Sequence, residues 1–337
     1  MGTKRLREDD GEGKKPSLIR NKERRSEAFA QLKREKKKAK KLRIKARDAR
    51  EKECIELGEA PPPRKTPRTI ENTREPDETI VRPDDDELLA DIATDEFAEH
   101  FNRDKSPKLL ITTCRKCSKR TFKLILELQS VIPNTEYYKR NKRSLKQLVK
   151  DATEQDFTAI VVIHENRREP DGMVIVNLPE GPTAHFRLSN LVLRKEIKAR
   201  ESDSPSFSIN HGRPTSHLPE LILNNFTTSL GHRIGRWMFA SLFYQDPNFR
   251  GRRVVTFHNQ RDYIFFRHHR YVFEPKETKQ KGEQKKKTAV IARLQECGPR
   301  FTLKLLSLQH GTFDTKHGEY EWVHKPDMDT SRRRFFL

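Results

Sequence analysis

The sequence predicts an α/β (α+β) protein of two similar halves behind a basic amino-terminal arm. Three observations lead there. Short apolar runs that alternate with polar residues recur between Leu109 and Leu308, the pattern of half-buried strands. Helical segments followed by a run of strands occur twice, before residue 195 and after residue 217, on either side of a polar stretch rich in Ser, Asp, Pro and Gly. The first 60 residues offer only a thin apolar stripe, too little surface to hold themselves on a core.

Composition narrows the function. Of 337 residues, 33% are hydrophobic and 35% charged, so part of the chain is expected to stand outside any packed core. Seventy Lys and Arg against 49 Asp and Glu leave a net charge of +21 and a pI near 9.9, which favours a polyanionic partner, nucleic acid before anionic membrane. No apolar run approaches membrane-spanning length and the first residues carry no signal-peptide core, so a soluble, intracellular protein is expected. Four scattered cysteines do not make a disulfide framework.

Taken in order, the chain opens on a polar stretch and then a basic one. From Arg20 to Lys52 there are sixteen basic and five acidic residues, among them Arg24, Arg25, Lys33, Arg34, Lys36, Lys37, Lys38, Lys40 and Lys41. The alanines between them suit a helix, one that frays alone and is relieved of its repulsion against phosphates; the same run also reads as a solvated helix serving only as an address. Pro61-Pro62-Pro63 and Pro67 make a stiff linker. Asp84–Glu87 followed by Leu88, Leu89, Ile92, Phe97 and Phe101 predicts an acidic amphipathic helix packed on the adjoining domain.

The folded part is expected to begin near Lys108. Leu109–Thr112 reads as a strand and Thr121–Gln129 as a helix; Tyr137–Arg140 reads as a strand and Ser144 caps a helix from Leu145 to Ala152. Strands follow at Phe157–His164, Met173–Leu178 and Ala184–Leu193, with a turn at Arg167–Gly172. In the second half Pro219 starts a short helix ending at Asn224-Asn225, and Thr228 or Ser229 caps a longer one to Phe243. Strands are read at Arg253–His258, Asp262–Arg267 and Arg270–Phe273, with Arg267-His268-His269-Arg270 in a tight turn and Lys276–Lys287 as a basic loop. Thr288–Glu296 and Phe301–Leu308 flank Gly298-Pro299 and read as a hairpin, with Arg300 just past its tip, before a polar tail.

Three clusters outside the arm could carry chemistry. Cys114-x-x-Cys117 sits where a thiol redox motif would lie, but its intervening pair is Arg-Lys and no second pair completes a zinc site. The segment reads better as an anion site, with Arg115, Lys116, Lys119 and Arg120 at a helix amino terminus, or else as a solvated polar turn. Lys139, Arg140, Lys142 and Arg143 lie beside Tyr137 and Tyr138, an arrangement that suits stacking on unpaired bases, though a strand tyrosine also suits a core. Arg300 can meet a phosphate bidentately or close on Glu296, which supplies its own counter-charge. No phosphate loop, HExxH or GxSxG is present, so no enzyme, cofactor or metal is expected, and no RNP signature of RNA-recognition domains appears.

Glu296-x-Gly298-Pro299-Arg300-Phe301-x-Leu303 resembles the closing motif of the Brix-domain family of ribosome assembly factors. Pro219–Phe226 with Leu230-Gly231, and Leu109–Arg120 with Tyr137–Arg140 behind it, resemble two further motifs of that family, in the family's order. The basic start at Ile19-Arg20-Asn21-Lys22 and the ending Arg332–Leu337 fit one member in particular. The resemblance implies two α/β halves around a pseudo-two-fold axis. It also implies a nucleolar factor of the large ribosomal subunit that binds precursor ribosomal RNA and supports its processing without cutting it. Other preribosomal assembly factors, one of them a dedicated protein partner, are implied; a membrane or small-molecule substrate is not. A scaffold whose arm is only an address, and a thiol redox protein using Cys114 and Cys117, are the alternatives. The expected boundaries are an arm at 1–60, linker and acidic helix at 61–104, a Brix domain at 105–310 with halves about 105–195 and 217–310, and a tail at 311–337.

Overall fold

In the computed structural model the described residues are 20–56, 67–75, 77–81, 98–101, 106–114, 117–197, 212, 214–245, 251–278, 287–313, 318–331 and 333–337. The chain divides into two compact units, Met1–Arg68 and Thr69–Leu337. The first is described by one helix, α1 (Lys22–Glu56), whose amino terminus is capped by Asn21 Oδ1 accepting from the Glu23 and Arg24 amides. Its apolar side chains are largely open to solvent, with Phe29 and Leu42 52% and 68% exposed. The body of the acidic helix expected at 84–101 lies outside the described residues; Ala98–Phe101 forms a single helical turn.

The second unit is built on one sheet of eleven strands: β1 (Leu109–Thr113), β2 (Thr135–Tyr137), β3 (Ala159–Asn166), β4 (Glu169–Asn177), β5 (Thr183–Val192), β6 (Glu220–Asn224), β7 (Arg253–Gln260), β8 (Tyr263–Thr278), β9 (Lys287–Glu296), β10 (Arg300–Gln309) and β11 (Tyr320–Val323). The main order is β2-β1-β3-β4-β5-β10-β8-β7-β6, with β9 on β8 and β11 on β10. The two halves of this order repeat one topology. In each, a first strand pairs in parallel with a second after a helical crossover, β1 with β3 and β6 with β7. Two antiparallel strands then follow, β4 and β5 in one half and β8 and β10 in the other. The halves meet at the antiparallel pair β5 and β10, so the pseudo-two-fold axis passes between them.

Helix α2 (Lys119–Val131) is the first crossover, with Ser118 as its cap. Helix α3 (Leu145–Glu154) starts in a capping box of Ser144 and Gln147. Helix α4 begins at Ser229 behind Thr228, whose hydroxyl accepts from the Gly231 amide, and continues as a π turn over Ile234–Phe239 and a 3-10 turn to Leu242. Helices α2 and α4 bury their apolar stripes on one sheet face, while α3 covers only β1, β3 and β4 on the other. The joint between halves is legible as packing: the rings of Phe186, Phe239, Phe257, Phe266 and Phe301 make a continuous chain from β5 through α4 to β7, β8 and β10, at centroid spacings of 5.7, 4.1, 5.1 and 4.4 Å.

Several sequence expectations are corrected. Pro219–Asn225 is not a helix; Glu220–Asn224 is the parallel edge strand β6, with Leu221 and Leu223 on the core and Ile222 outward, because β7 supplies the backbone partners that five residues cannot supply to themselves. The strand expected at 137–140 lies earlier, at Thr135–Tyr137. The tight turn at Arg267–Arg270 does not exist: β8 runs unbroken for 16 residues, and the reversal before it is made by Arg261 and Asp262, both at positive φ. Strand β8 also takes in Lys276–Thr278, and β9 starts at Lys287, so the basic loop is shorter than expected.

The expected hairpin is likewise not one. Strands β9 and β10 do not pair with each other; they follow one another along the same edge of β8, β10 against Tyr263–Phe266 and β9 against His269–Thr278. Gly298, at φ +68°, sits in the break, where a Cβ would fall 2.8 Å from Ile197 Cδ1 and 2.9 Å from Arg194 Cα. The long β8 decides this, because it provides edge for both strands.

Two polar hubs lock the second unit. Arg253, 4% exposed, donates from Nε to His268 Nε2 at 2.9 Å, from Nη1 to the Thr215 and His217 carbonyls, and from Nη2 to the Ser130 carbonyl at the end of α2. His268 in turn meets the Gly298 carbonyl through Nδ1 at 2.7 Å. The other hub holds the last residues, which are packed rather than trailing. Asp262 Oδ1 accepts from the Phe336 and Leu337 amides, and Thr228 Oγ1 donates to the Phe336 carbonyl. Burial raises the Asp262 carboxyl from its ordinary range, and those two amides oppose the shift.

Candidate nucleic-acid interface

The second half leaves one sheet face without an α-helix among the described residues, and register decides what it presents. Directly paired residues share a face, so three rows can be followed across β5, β10, β8 and β7. The first is Arg187, Lys304, Tyr263 and Gln260; the second is Ser189, Thr302, Phe265 and His258; the third carries Arg300 from β10 with the paired Arg267 and Thr256. The core-facing Phe266 and Phe301 alternate with these residues.

The rows interleave cations and rings. Lys304 Nζ lies 5.6 Å from the Tyr263 ring centroid and Arg267 Cζ 5.6 Å from that of Phe265. Tyr263 is 44% exposed, and the Arg187 side chain is open to solvent. Four cations here face two carboxylates: Asp329, 3.3 Å from Lys304, and Glu296, 3.2 Å from Arg300 Nε. Glu296 also draws on Arg267 and His269, so one carboxylate serves several positive groups. Burial lowers the pKa of Arg267, with Glu296 opposing, but a guanidinium starts so high that it stays charged. Such a surface can pair with phosphates and offer ring faces to bases.

The residues singled out from sequence fall in several places. Lys33, Arg34, Lys36, Lys37, Lys38, Lys40 and Lys41 are exposed along α1, as is Arg24, with Arg25 half-exposed; they point around the helix rather than along one stripe. Arg115 and Lys116 lie outside the described residues. At the start of α2, where an anion site is expected, the protein brings up a carboxylate of its own. Glu165 Oε2 accepts from the Ser118 amide at 2.7 Å and from the Thr121 hydroxyl at 2.5 Å. Burial would raise the Glu165 carboxyl, but these bonds outweigh it and hold the group below its ordinary range.

Arg120 is committed too: it bridges Glu169 and Glu196 at 3.2 and 3.1 Å and donates to the Leu191 carbonyl. Lys119 stays exposed. Lys139 and Lys142 are exposed, whereas Arg140 donates to the Arg143 carbonyl and Arg143 pairs with Asp151 over the Tyr138 ring. Tyr137 turns inward against Phe122. Cys114 and Cys117 are not joined in a disulfide. Arg300 closes on Glu296, and lies on the open face as well.

Arg187, Tyr263, Phe265 and Arg267 were not read as a site from sequence, although the polar and aromatic positions alternating with the core residues of YIFFRHHR are the signal that could have found them.

This fold, two α/β halves joined edge to edge around a pseudo-two-fold axis, is that of the Brix-domain family, and the chain belongs to it: the Brix domain profile matches residues 114–307. Within that family the chain is similar to proteins named Ribosome production factor 1. It is 52% identical over 322 residues to that of Mus musculus, covering 95% of this chain and 84% of that one. To that of Saccharomyces cerevisiae it is 41% identical over 325 residues, covering 95% and 97%. Among solved structures, a probable ribosomal biogenesis protein from Aeropyrum pernix K1 aligns with 59% of this chain and 96% of its own at 16% identity and a TM-score of 0.38.

Proposed function

We propose that this protein is a non-enzymatic ribosome biogenesis factor that binds precursor ribosomal RNA of the large subunit and supports its processing in the nucleolus. Its relatives' name, Ribosome production factor 1, supports the biogenesis role. The observation that carries RNA binding is the open face of the second half, where Arg187, Lys304, Arg267 and Arg300 are interleaved with Tyr263 and Phe265. In this reading α1 adds a sequence-independent grip through Arg24, Arg25, Lys33, Arg34, Lys36, Lys37, Lys38, Lys40 and Lys41, while the sheet face fixes orientation. Lys119, Lys139 and Lys142 extend the positive surface; Arg120, Arg140 and Arg143 serve the fold first. Other assembly factors, including a dedicated protein partner, complete the proposed setting in the nucleus. The domain limits proposed are the arm at 1–60, the linker at 61–104, the two halves within 105–310 and the closing segment at 311–337.

The test is binding of a fluorescent single-stranded RNA to the full chain across a salt series. For a single strand the slope of log K against log salt is about −0.7 per phosphate neutralised. Arg187→Ala with Arg267→Ala should flatten it by roughly 1.4, and Tyr263→Ala should weaken binding by ~1–3 kcal/mol with the slope unchanged. An unchanged slope in the first variant and unchanged affinity in the second would remove the sheet face from the interface.

A further inference from the structure

At one end of the sheet four segments of the second unit leave a cavity of about 370 Å³ between them. They are the stretch carrying Glu71 and Arg74, the link from β6 to α4, the end of β7 at Asn259 and Gln260, and the closing segment at Phe335. The charged groups here are largely committed. Arg261 Nη2 lies 2.8 Å from Glu71 Oε1, and Arg74 donates through Nη1 to Thr227 Oγ1 and through Nη2 to the Phe335 carbonyl. A bare anion therefore finds no bidentate guanidinium fork in this cavity. An apolar peptide side chain finds little either. Among the described lining residues only Phe335 and Leu337 are apolar, and Leu337 is 2% exposed.

What the cavity holds in reserve is neutral hydrogen-bonding capacity. Asn259 is 4% exposed, and its Nδ2 donates to the Asn225 and Leu337 carbonyls at 3.0 and 2.8 Å, which fixes the orientation of its amide. Its Oδ1 is shielded from solvent and has no hydrogen-bond partner among the described residues, and the same is true of Arg74 Nε. A buried acceptor and a buried donor left unmade are costly, so a site that keeps both is built for a partner that supplies the bonds. Gln260 adds a second, exposed amide. The Phe335 ring, with Arg74 Cζ 5.5 Å from its centroid, adds flat surface.

We propose that this cavity receives one nucleobase of an RNA strand lying on the open sheet face, its edge met by the amides of Asn259 and Gln260 and its plane by Phe335 and Arg74. The site rests on the RNA-binding role proposed above and adds a base pocket to it. A side-chain amide presents a donor beside an acceptor, which matches a base edge, and unpaired bases stack on aromatic rings and guanidinium planes. Gln260 joins the pocket to the face. It pairs directly with Tyr263 and ends the row Arg187, Lys304, Tyr263. Directly paired side chains stand about 5 Å apart at Cβ, so a base next to one stacked on Tyr263 has the cavity beside it.

The experiment is ultraviolet crosslinking of a mixed-sequence single-stranded RNA to the full chain, with the crosslinked residues assigned by mass spectrometry, alongside anisotropy titrations of the same RNA. Crosslinks should fall on Phe335 or on Asn259 and Gln260. Gln260→Ala and Phe335→Leu should each weaken binding about fivefold or more, with the salt slope unchanged because neither removes a charge. Gln260 is exposed, so its variant should melt with the wild type. An RNA of the same length with abasic residues throughout should bind wild type and Gln260→Ala alike. Wild-type affinity in both variants with no crosslink at these residues, or an abasic RNA that still discriminates Gln260→Ala, would overturn the pocket. Nucleoside monophosphates that crosslink at these residues while the RNA does not would make this a free-nucleotide site and overturn the RNA assignment. If the slope still shifts in Arg187→Ala with Arg267→Ala while the pocket variants bind as wild type, the pocket alone is lost and the sheet face stands.

Discussion

Acid should loosen this protein through one buried histidine. Arg253 has only donors, so the His268 nitrogen it faces must carry the lone pair, and the ring proton sits on Nδ1 and is donated to the Gly298 carbonyl. Protonating His268 would place a second hydrogen against a guanidinium in a site with no solvent exposure. Burial first, with the Arg253 charge adding and the Gly298 carbonyl opposing, pushes the His268 pKa down to about 4 from 6.5. The folded value lies below the unfolded one, so the contribution is complete above the unfolded pKa and is lost as pH falls toward the folded one. Between those values the unfolded chain holds the extra proton, and stability falls by roughly 1.4 kcal/mol per pH unit, about 3 kcal/mol in all.

The assay is urea unfolding of wild type and His268→Gln between pH 7 and pH 5. Glutamine can accept from Arg253 but does not titrate. It should cost ~1–2 kcal/mol at pH 7, and the gap should close by about 2 kcal/mol by pH 5, because only the wild type carries this proton linkage. Other histidines shifted by burial, His164, His185 and His269 among them, are common to both proteins and cancel in the difference. Parallel pH profiles would refute the assignment of a neutral His268 clamped by Arg253.

Other outcomes follow from the same geometry. Glu296→Ala should cost under ~1 kcal/mol of stability, since its pair with Arg300 is partly exposed and screened. It should tighten RNA binding at low salt, because Arg267 and Arg300 lose their shared carboxylate; weaker binding in an anisotropy titration would show that Glu296 positions these arginines. Gly298→Ala should destabilise by ~1–3 kcal/mol in chemical denaturation, from its positive φ and the Cβ contacts with Ile197 and Arg194. Deleting residues 1–60 should leave the melting temperature of the remainder nearly unchanged while weakening RNA binding and reducing its salt slope. A large drop in melting temperature would mean that the arm packs on the fold.

The alternation of Phe157–His164, the Ser144 cap and the Thr228 cap lie within a few residues of the pattern they encode, so those elements are legible from sequence within a residue or two at most ends. The repeated order of helices and strands likewise announced two halves. What sequence could not decide was partnership between distant segments. Glu220–Asn224 is a strand because β7 lies beside it, and Gly298-Pro299 joins two strands in line because β8 is long enough to pair with both. Glu165 takes the helix end that an outside anion could have occupied, and Arg120 finds two carboxylates 49 and 76 residues away. The open face is assembled from β5, β7, β8 and β10, whose side chains become neighbours only through register. Local sequence sets backbone preference and the alternation of faces; which face is covered, and which cation is already paired, depends on contacts that exist only once the sheet has closed.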